Sequence, residues 1–120
     1  MRFIRKKISL LFLLTCLISS AQEKVIIFSI NDIHSRIENF SKIKPLIDKE
    51  KEKGNKVFFV SAGDIFSGNP IVDNYSEKGF PVIDLLNRAG LDISVIGNHE
   101  FDYGQSILSD RIAQANFPFI

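Results

Sequence analysis

The chain has no tryptophan, one cysteine and only two histidines among its 120 residues. Any aromatic platform must therefore come from its eleven phenylalanines and two tyrosines. The single cysteine, Cys16, falls in the first 21 residues. The remainder has no thiol for a disulfide or a thiolate metal ligand. A metal site, if there is one, must be built from histidine, carboxylate and amide groups. A basic surface is also missing. Residues 1–21 hold Arg2, Arg5, Lys6 and Lys7 and no acid, which leaves eleven basic against fourteen acidic residues in the rest. That balance offers no positive stripe to a nucleic-acid polymer. No apolar run reaches the roughly 20 residues of a membrane-spanning helix. There is no internal repeat and no low-complexity linker, so the length bounds the chain to one modest domain at most.

What is present begins with a leader pattern. The basic opening Met1 to Lys7 precedes the apolar run Ile8 to Ile18, then the small residues Ser19-Ser20-Ala21. This reads as a secretory signal peptide over residues 1–21, cleaved before Gln22, with export to the periplasm or the extracellular space. A lipoprotein reading would retain Cys16 as the lipidated residue, but cleavage after Ala21 discards it.

Beyond the leader, short apolar runs alternate with amphipathic segments. Lys24 to Ile30 and Lys56 to Ser61 are rich in β-branched and aromatic residues, which predicts strands covered on both faces. Leu91 to Ile96 predicts a third strand, and Phe117 to Ile120 the entry to a fourth. Residues 39–53 place Phe40, Ile43, Leu46 and Ile47 on one helical face. Pro45 belongs near a first turn, so a start around Ser41 is expected. Residues 80–89 predict a second helix with Pro81 at its start and Gly90 as its stop. Ser106 to Ala115 predicts a third, with Ile107, Leu108, Ile112 and Ala115 inward. Such alternation means right-handed βαβ units around a parallel sheet, an α/β fold.

Polar residues of one chemical kind stand directly after each expected strand. Asn31-Asp32-Ile33-His34 follows the first, Gly63-Asp64 the second, and Gly97-Asn98-His99-Glu100-Phe101-Asp102 the third. Each admits a plain reading alone: Asp32 as a turn cap, His34 as a loop histidine, Asp64 as a helix N-cap. In an open α/β sheet, however, ligands bind beyond the carboxyl ends of the strands, where all three groups fall. If the first segment is extended, Asp32 and His34 project to the same side and reach one ion together. If the third is extended, His99 turns away from Asn98 and faces a substrate, with Asp102 near enough to hold it as imidazolium. Asp, His and Asn donors favour Mn, Zn, Fe or Co over calcium. Hydrolysis at two metal ions suits such a set, with a carboxylate bridging the pair.

Asp32-x-His34, Gly63-Asp64 and Gly97-Asn98-His99-Glu100 resemble the first three motifs of the calcineurin-like metallophosphoesterases. The longer forms, Gly63 to Pro70 and Gly97 to Gly104, are similar to the secreted bacterial 5′-nucleotidase branch, which includes 2′,3′-cyclic nucleotide phosphodiesterase/3′-nucleotidases. The resemblance covers about residues 24–120. It implies Asp32 and His34 on a first divalent metal, Asp64 bridging, Asn98 on a second, and His99 with Asp102 as a catalytic dyad. It implies a metal-dependent phosphoester hydrolase acting on a small-molecule phosphoester of the nucleotide class. Other phosphomonoesters or cyclic phosphodiesters are the alternative substrates, and a secreted non-catalytic metal- or ligand-binding module is the alternative function. Ser35 stands where the family often has glycine, with little expected consequence for metal binding. The family's later histidines, including a Gly-His-x-His motif, and its C-terminal nucleotide-binding domain have no counterpart here. Residues 22–120 are thus expected to be the N-terminal βαβαβ part of a metallophosphoesterase α/β sandwich, truncated and inactive by itself.

Overall fold

The structure, a computed structural model, describes residues 23–120. The expected leader at residues 1–21, with Cys16, lies outside the described residues. Strand β1 runs Val25–Ile30, helix α1 Phe40–Glu52, and strand β2 Lys56–Ser61. The short helix α2 (Pro70–Asp73) and helix α3 (Phe80–Ala89) lead to strand β3 (Ile93–Ser94), and helix α4 (Gln105–Gln114) follows. Single 3₁₀ turns occupy Ile37–Asn39 and His99–Phe101.

The three strands form one parallel sheet in the order β1-β2-β3. Ile30 is paired with Ser61 and Ser61 with Ser94, so the carboxyl ends of all three strands lie side by side. A parallel bridge joins Ser94 to Phe119, and Ile120 N–H donates to the Ser94 carbonyl at 2.9 Å. The expected fourth strand thus begins beside β3. β3 is shorter than the expected Leu91–Ile96, although the Asp92 and Val95 amides still donate to Phe59 and Ser61 of β2.

Helix α3 keeps its expected bounds. Pro81 sits in its first turn, and Gly90 caps it at φ 78°, a left-handed position glycine adopts without strain. Val82, Ile83 and Leu86 of α3 are buried with Ile47, Phe59, Phe66 and Val72 in one core. Helix α1 starts at Phe40 rather than Ser41, after the Ile37–Asn39 turn. Pro45 therefore lies in its second turn, where the missing N–H leaves the exposed Ser41 carbonyl to solvent. On α4, Leu108 is buried as expected but Ile112 is exposed, and Arg111 is buried in its place. The Arg111 guanidinium lies over the Phe80 ring at 5.5 Å, a cation–π contact that joins α4 to the start of α3.

The expectation of strands covered on both faces is not met. Exposure alternates along β1, and Ile27 is 65% exposed. Parallel register puts Val25 and Ile27 on the same face as Phe58, and Val95 and Ile120 continue that stripe. All five are exposed, because the described helices pack on the other side of the sheet.

Candidate active site

The site is assembled from the three loops that leave the carboxyl ends of the strands. The loop after β1 leans on the loop after β2. Asp32 N–H donates to the Gly63 carbonyl at 3.3 Å, His34 N–H to that of Asp64 at 3.1 Å, and Ser35 N–H to that of Ile65 at 2.9 Å. These bonds require a backbone that L-residues seldom adopt. Asp32, His34, Ser35, Asp64 and Ser67 all have φ between 45° and 56°. Such residues cluster where surrounding structure holds them against local strain, as at functional sites. The Asp32–His34 segment is therefore not extended, contrary to the expectation. The two side chains still approach, with His34 Nε2 4.0 Å from Asp32 Oδ1.

The loop after β3 meets the Asp64 loop at two glycines. A Cβ on Gly63 would lie 2.9 Å from the Gly97 nitrogen, so only glycine permits that backbone approach. Past Gly97 the chain is not extended either. Asn98 is helical and His99–Phe101 forms a 3₁₀ turn. In that turn, side chains three residues apart eclipse one another, which sets His99 against Asp102. His99 Nδ1 stands 2.8 Å from Asp102 Oδ2. The His99 amide donates to Asp64 Oδ1 at 2.9 Å, and its ring meets the His34 ring edge-on at 4.6 Å.

Electrostatics follow from these contacts. The Asp102 carboxylate, hydrogen-bonded to the ring, pushes the His99 pKa up. Asp102 is itself held below the ordinary carboxylate range, first by a hydrogen bond from the Ser67 hydroxyl and then by His99. Tyr103 is raised by burial and by its hydroxyl contact with Asp73.

Asp32, His34, Asp64, His99 and Asp102 are thus brought to one edge of the sheet, beside Asn98 at the start of the 3₁₀ turn. Among the described residues, no three His, Cys, Asp or Glu side chains close on a single point as a complete metal cage. The donors nevertheless suit a divalent cation in kind. His34 offers an imidazole nitrogen and Asp32 a carboxylate oxygen, the donor types that such ions take.

Two residues of this site had no role in the sequence reading. Ser67, in a turn-rich loop, carried no signal beyond its motif. Nor did Glu100: an acid inside a dense polar tetrad is ordinary when exposed, but this one is fully buried. It accepts N–H bonds from Ile65 (2.7 Å), Asp64 (3.0 Å), Phe66 (3.3 Å) and Gly97 (2.5 Å).

Known proteins agree with this architecture. Residues 26–119 match the family described as calcineurin-like phosphoesterase, and the chain belongs to that family. It is 36% identical over 87 residues to a 2',3'-cyclic-nucleotide 2'-phosphodiesterase/3'-nucleotidase of Haemophilus influenzae, a match spanning 68% of this chain and 13% of that protein. It is 30% identical over 124 residues to the 5'-nucleotidase of Mus musculus, spanning 85% of this chain and 20% of that one. The crystal structure of a 5'-nucleotidase precursor from Thermus thermophilus superposes with a TM-score of 0.71 at 24% identity. That superposition covers 78% of this chain and 21% of the other, and it shows a shared fold. The chain therefore spans only about a fifth or less of the length of these proteins.

Proposed function

We propose that the protein is a metal-dependent phosphoester hydrolase of the 5′-nucleotidase type, acting on nucleotides outside the cytoplasm. One observation carries the reading: a single edge of a parallel sheet gathers Asp32, His34 and Asp64 beside a hydrogen-bonded His99–Asp102 pair. Asp32 and His34 would hold one cation, Asp64 would bridge, and Asn98 would hold a second. Two divalent cations, Mn, Zn, Fe or Co, would there activate a water and neutralise phosphoryl oxygens.

The chain's own residues have distinct tasks in this reading. Asp102 favours the protonated form of His99 by bonding Nδ1, and in that form Nε2–H would be free to face the substrate. From there it stabilises charge on the phosphoryl group and passes its proton to the leaving ester oxygen. The His99 amide fixes Asp64 Oδ1, limiting which carboxylate oxygen is left for ligation. A complete ligand set and a surface that reads the nucleobase would need groups besides these, as would a cover for the exposed stripe of β1 and β2. Export would use the leader at residues 1–21. Among the described residues no helix is long and apolar enough to cross a membrane.

A second reading has its own support. The similar protein of Haemophilus influenzae is named for action on a 2',3'-cyclic nucleotide, which favours cyclic phosphodiesters as substrates alongside monoesters. Phosphate release from 5′-AMP, 3′-AMP and 2′,3′-cyclic AMP with added Mn(II) tests both readings in the protein expressed from its complete reading frame. Release from 5′-AMP above the others supports the 5′-nucleotidase reading. Preference for the cyclic ester supports the second. Metal uptake without any phosphate release would leave a non-catalytic binding module. Recovery of mature protein starting at Gln22 would support export.

A further inference from the structure

A buried carboxylate normally faces a cation, because an unpaired charge in the interior is expensive. Glu100 is 0% exposed, and its hydrogen-bond partners are four backbone amides. Their origin is the informative point. Asp64, Ile65 and Phe66 belong to the loop after β2, whereas Gly97 belongs to the loop after β3. Oε1 takes Ile65 and Phe66, and Oε2 takes Asp64 and Gly97. One side chain therefore ties together the backbone on either side of the site. Oε2 alone links the amide of the bridging candidate Asp64 to the residue before the second-ion candidate Asn98.

The surroundings explain why such a tie is needed. Asp64 is held at φ 52° and Ser67 at φ 56°, so this loop does not keep its shape by local preference. Asp64, Ile65 and Gly97 all lie outside the strands and helices. Hydrogen bonds to an ionised acceptor are about twice as strong as neutral ones, and this acceptor collects four.

We propose that Glu100 is a positioning residue for the metal site, a clasp whose carboxylate fixes the separation of Asp64 and Asn98 by binding the backbone of both loops. The proposal rests on the metal-hydrolase reading above. Glu100 touches neither substrate nor ion in it. Replacing it with glutamine keeps the size but turns one acceptor into a donor aimed at backbone N–H groups, so two of the four bonds are lost and the charge that strengthened the others goes with them. Aspartate keeps the charge but is one methylene too short to serve both.

The test compares Mn(II) binding by calorimetry for wild type, Glu100→Gln and Glu100→Asp in the protein expressed from its complete reading frame, well below their melting temperatures. Residues that orient metal ligands change affinity by roughly 10–100-fold. A loss in that range for Glu100→Gln, with partial recovery in Glu100→Asp, is the expected result. A folded Glu100→Gln that binds Mn(II) as wild type does overturns the clasp, since a merely structural residue lowers melting temperature and leaves this affinity alone. Wild type that takes up no Mn(II) overturns the metal reading itself. Where Glu100→Gln does not fold, amide exchange of wild type decides. Strong protection at Ile65 and Gly97, outside any strand or helix, supports the clasp, and free exchange there overturns it.

Discussion

A methyl group on Gly97 would lie 2.2 Å from Asp64 Oδ1, well inside van der Waals contact. The glycine that opens the His99 turn is thus the floor on which the Asp64 carboxylate rests. The same methyl would stand 2.7 Å from the Asp64 nitrogen, so backbone as well as side chain would have to move. Gly97→Ala is expected to lower stability by about 1–3 kcal/mol, the usual range for overpacking. Mn(II) affinity should fall at least about tenfold as Asp64 is displaced. Thermal melts and calorimetry check the pair of effects, and an unchanged affinity would mean the carboxylate is free to swing aside.

His99 and Asp102 should separate from the ligand candidates by experiment. His99→Ala is expected to lower turnover on the order of 10²–10⁴-fold, the range for a lost general acid, with metal content retained. Asp32→Ala and Asp64→Ala should strip metal and activity together. Metal analysis beside steady-state rates distinguishes them. If His99→Ala loses metal and keeps its residual rate, the imidazole is a ligand.

The dyad also predicts a pH dependence of known sign. Asp102 raises the His99 pKa above its ordinary value near 6.5. The pair's contribution to stability is then fully present below about 6.5 and is lost as pH rises through the folded value. On the acid side, the Asp102 pKa is lowered, so its contribution is lost as pH falls through that folded value. Asp102→Asn should bring the His99 titration down toward its ordinary value and draw the alkaline limb of kcat/KM to lower pH. Imidazole NMR titration of the metal-free protein reads the shift directly. An unmoved His99 titration in that variant counts against the pairing.

Ser35 offers a test of backbone strain. It is buried at φ 56°, where the Cβ of any L-residue is crowded, and its hydroxyl makes only a 3.5 Å contact with the Ile65 carbonyl. Its amide and carbonyl bonds, to Ile65 and Asn69, do not involve the side chain. Ser35→Gly should therefore stabilise the protein by about 1 kcal/mol through relief of the left-handed conformation. A denaturant titration that shows destabilisation would mean the hydroxyl matters more than the strain.

Elements whose signals are local were legible in the sequence. Pro81 and Gly90 bracket α3 because one supplies a helical φ and the other a left-handed stop, both properties of single residues. The ends of β1 and β2 were legible for the same reason, and so was the placement of polar residues beyond them. Burial of Glu100 was not, since it depends on amides more than thirty residues away. The expectation of extended site loops failed because Asp32, His34 and Asp64 take left-handed conformations that cross-loop bonds impose. Coverage of the sheet was misjudged for a related reason. An apolar β-branched run reports what a strand is suited to bury, and the described helices occupy only one side of it.

That one-sided sheet has a consequence for how the protein is made. β1 and β2 are synthesised before β3, and their pairing leaves Val25, Ile27 and Phe58 in a continuous oily stripe on an edge-bearing sheet. Intermediates with bare apolar strands are the ones that aggregate, and molecular chaperones exist to shield them. Polar replacements at Ile27 or Phe58 are therefore expected to raise the yield of soluble protein. A bare stripe of this kind gives a chaperone something to hold until another apolar surface covers it.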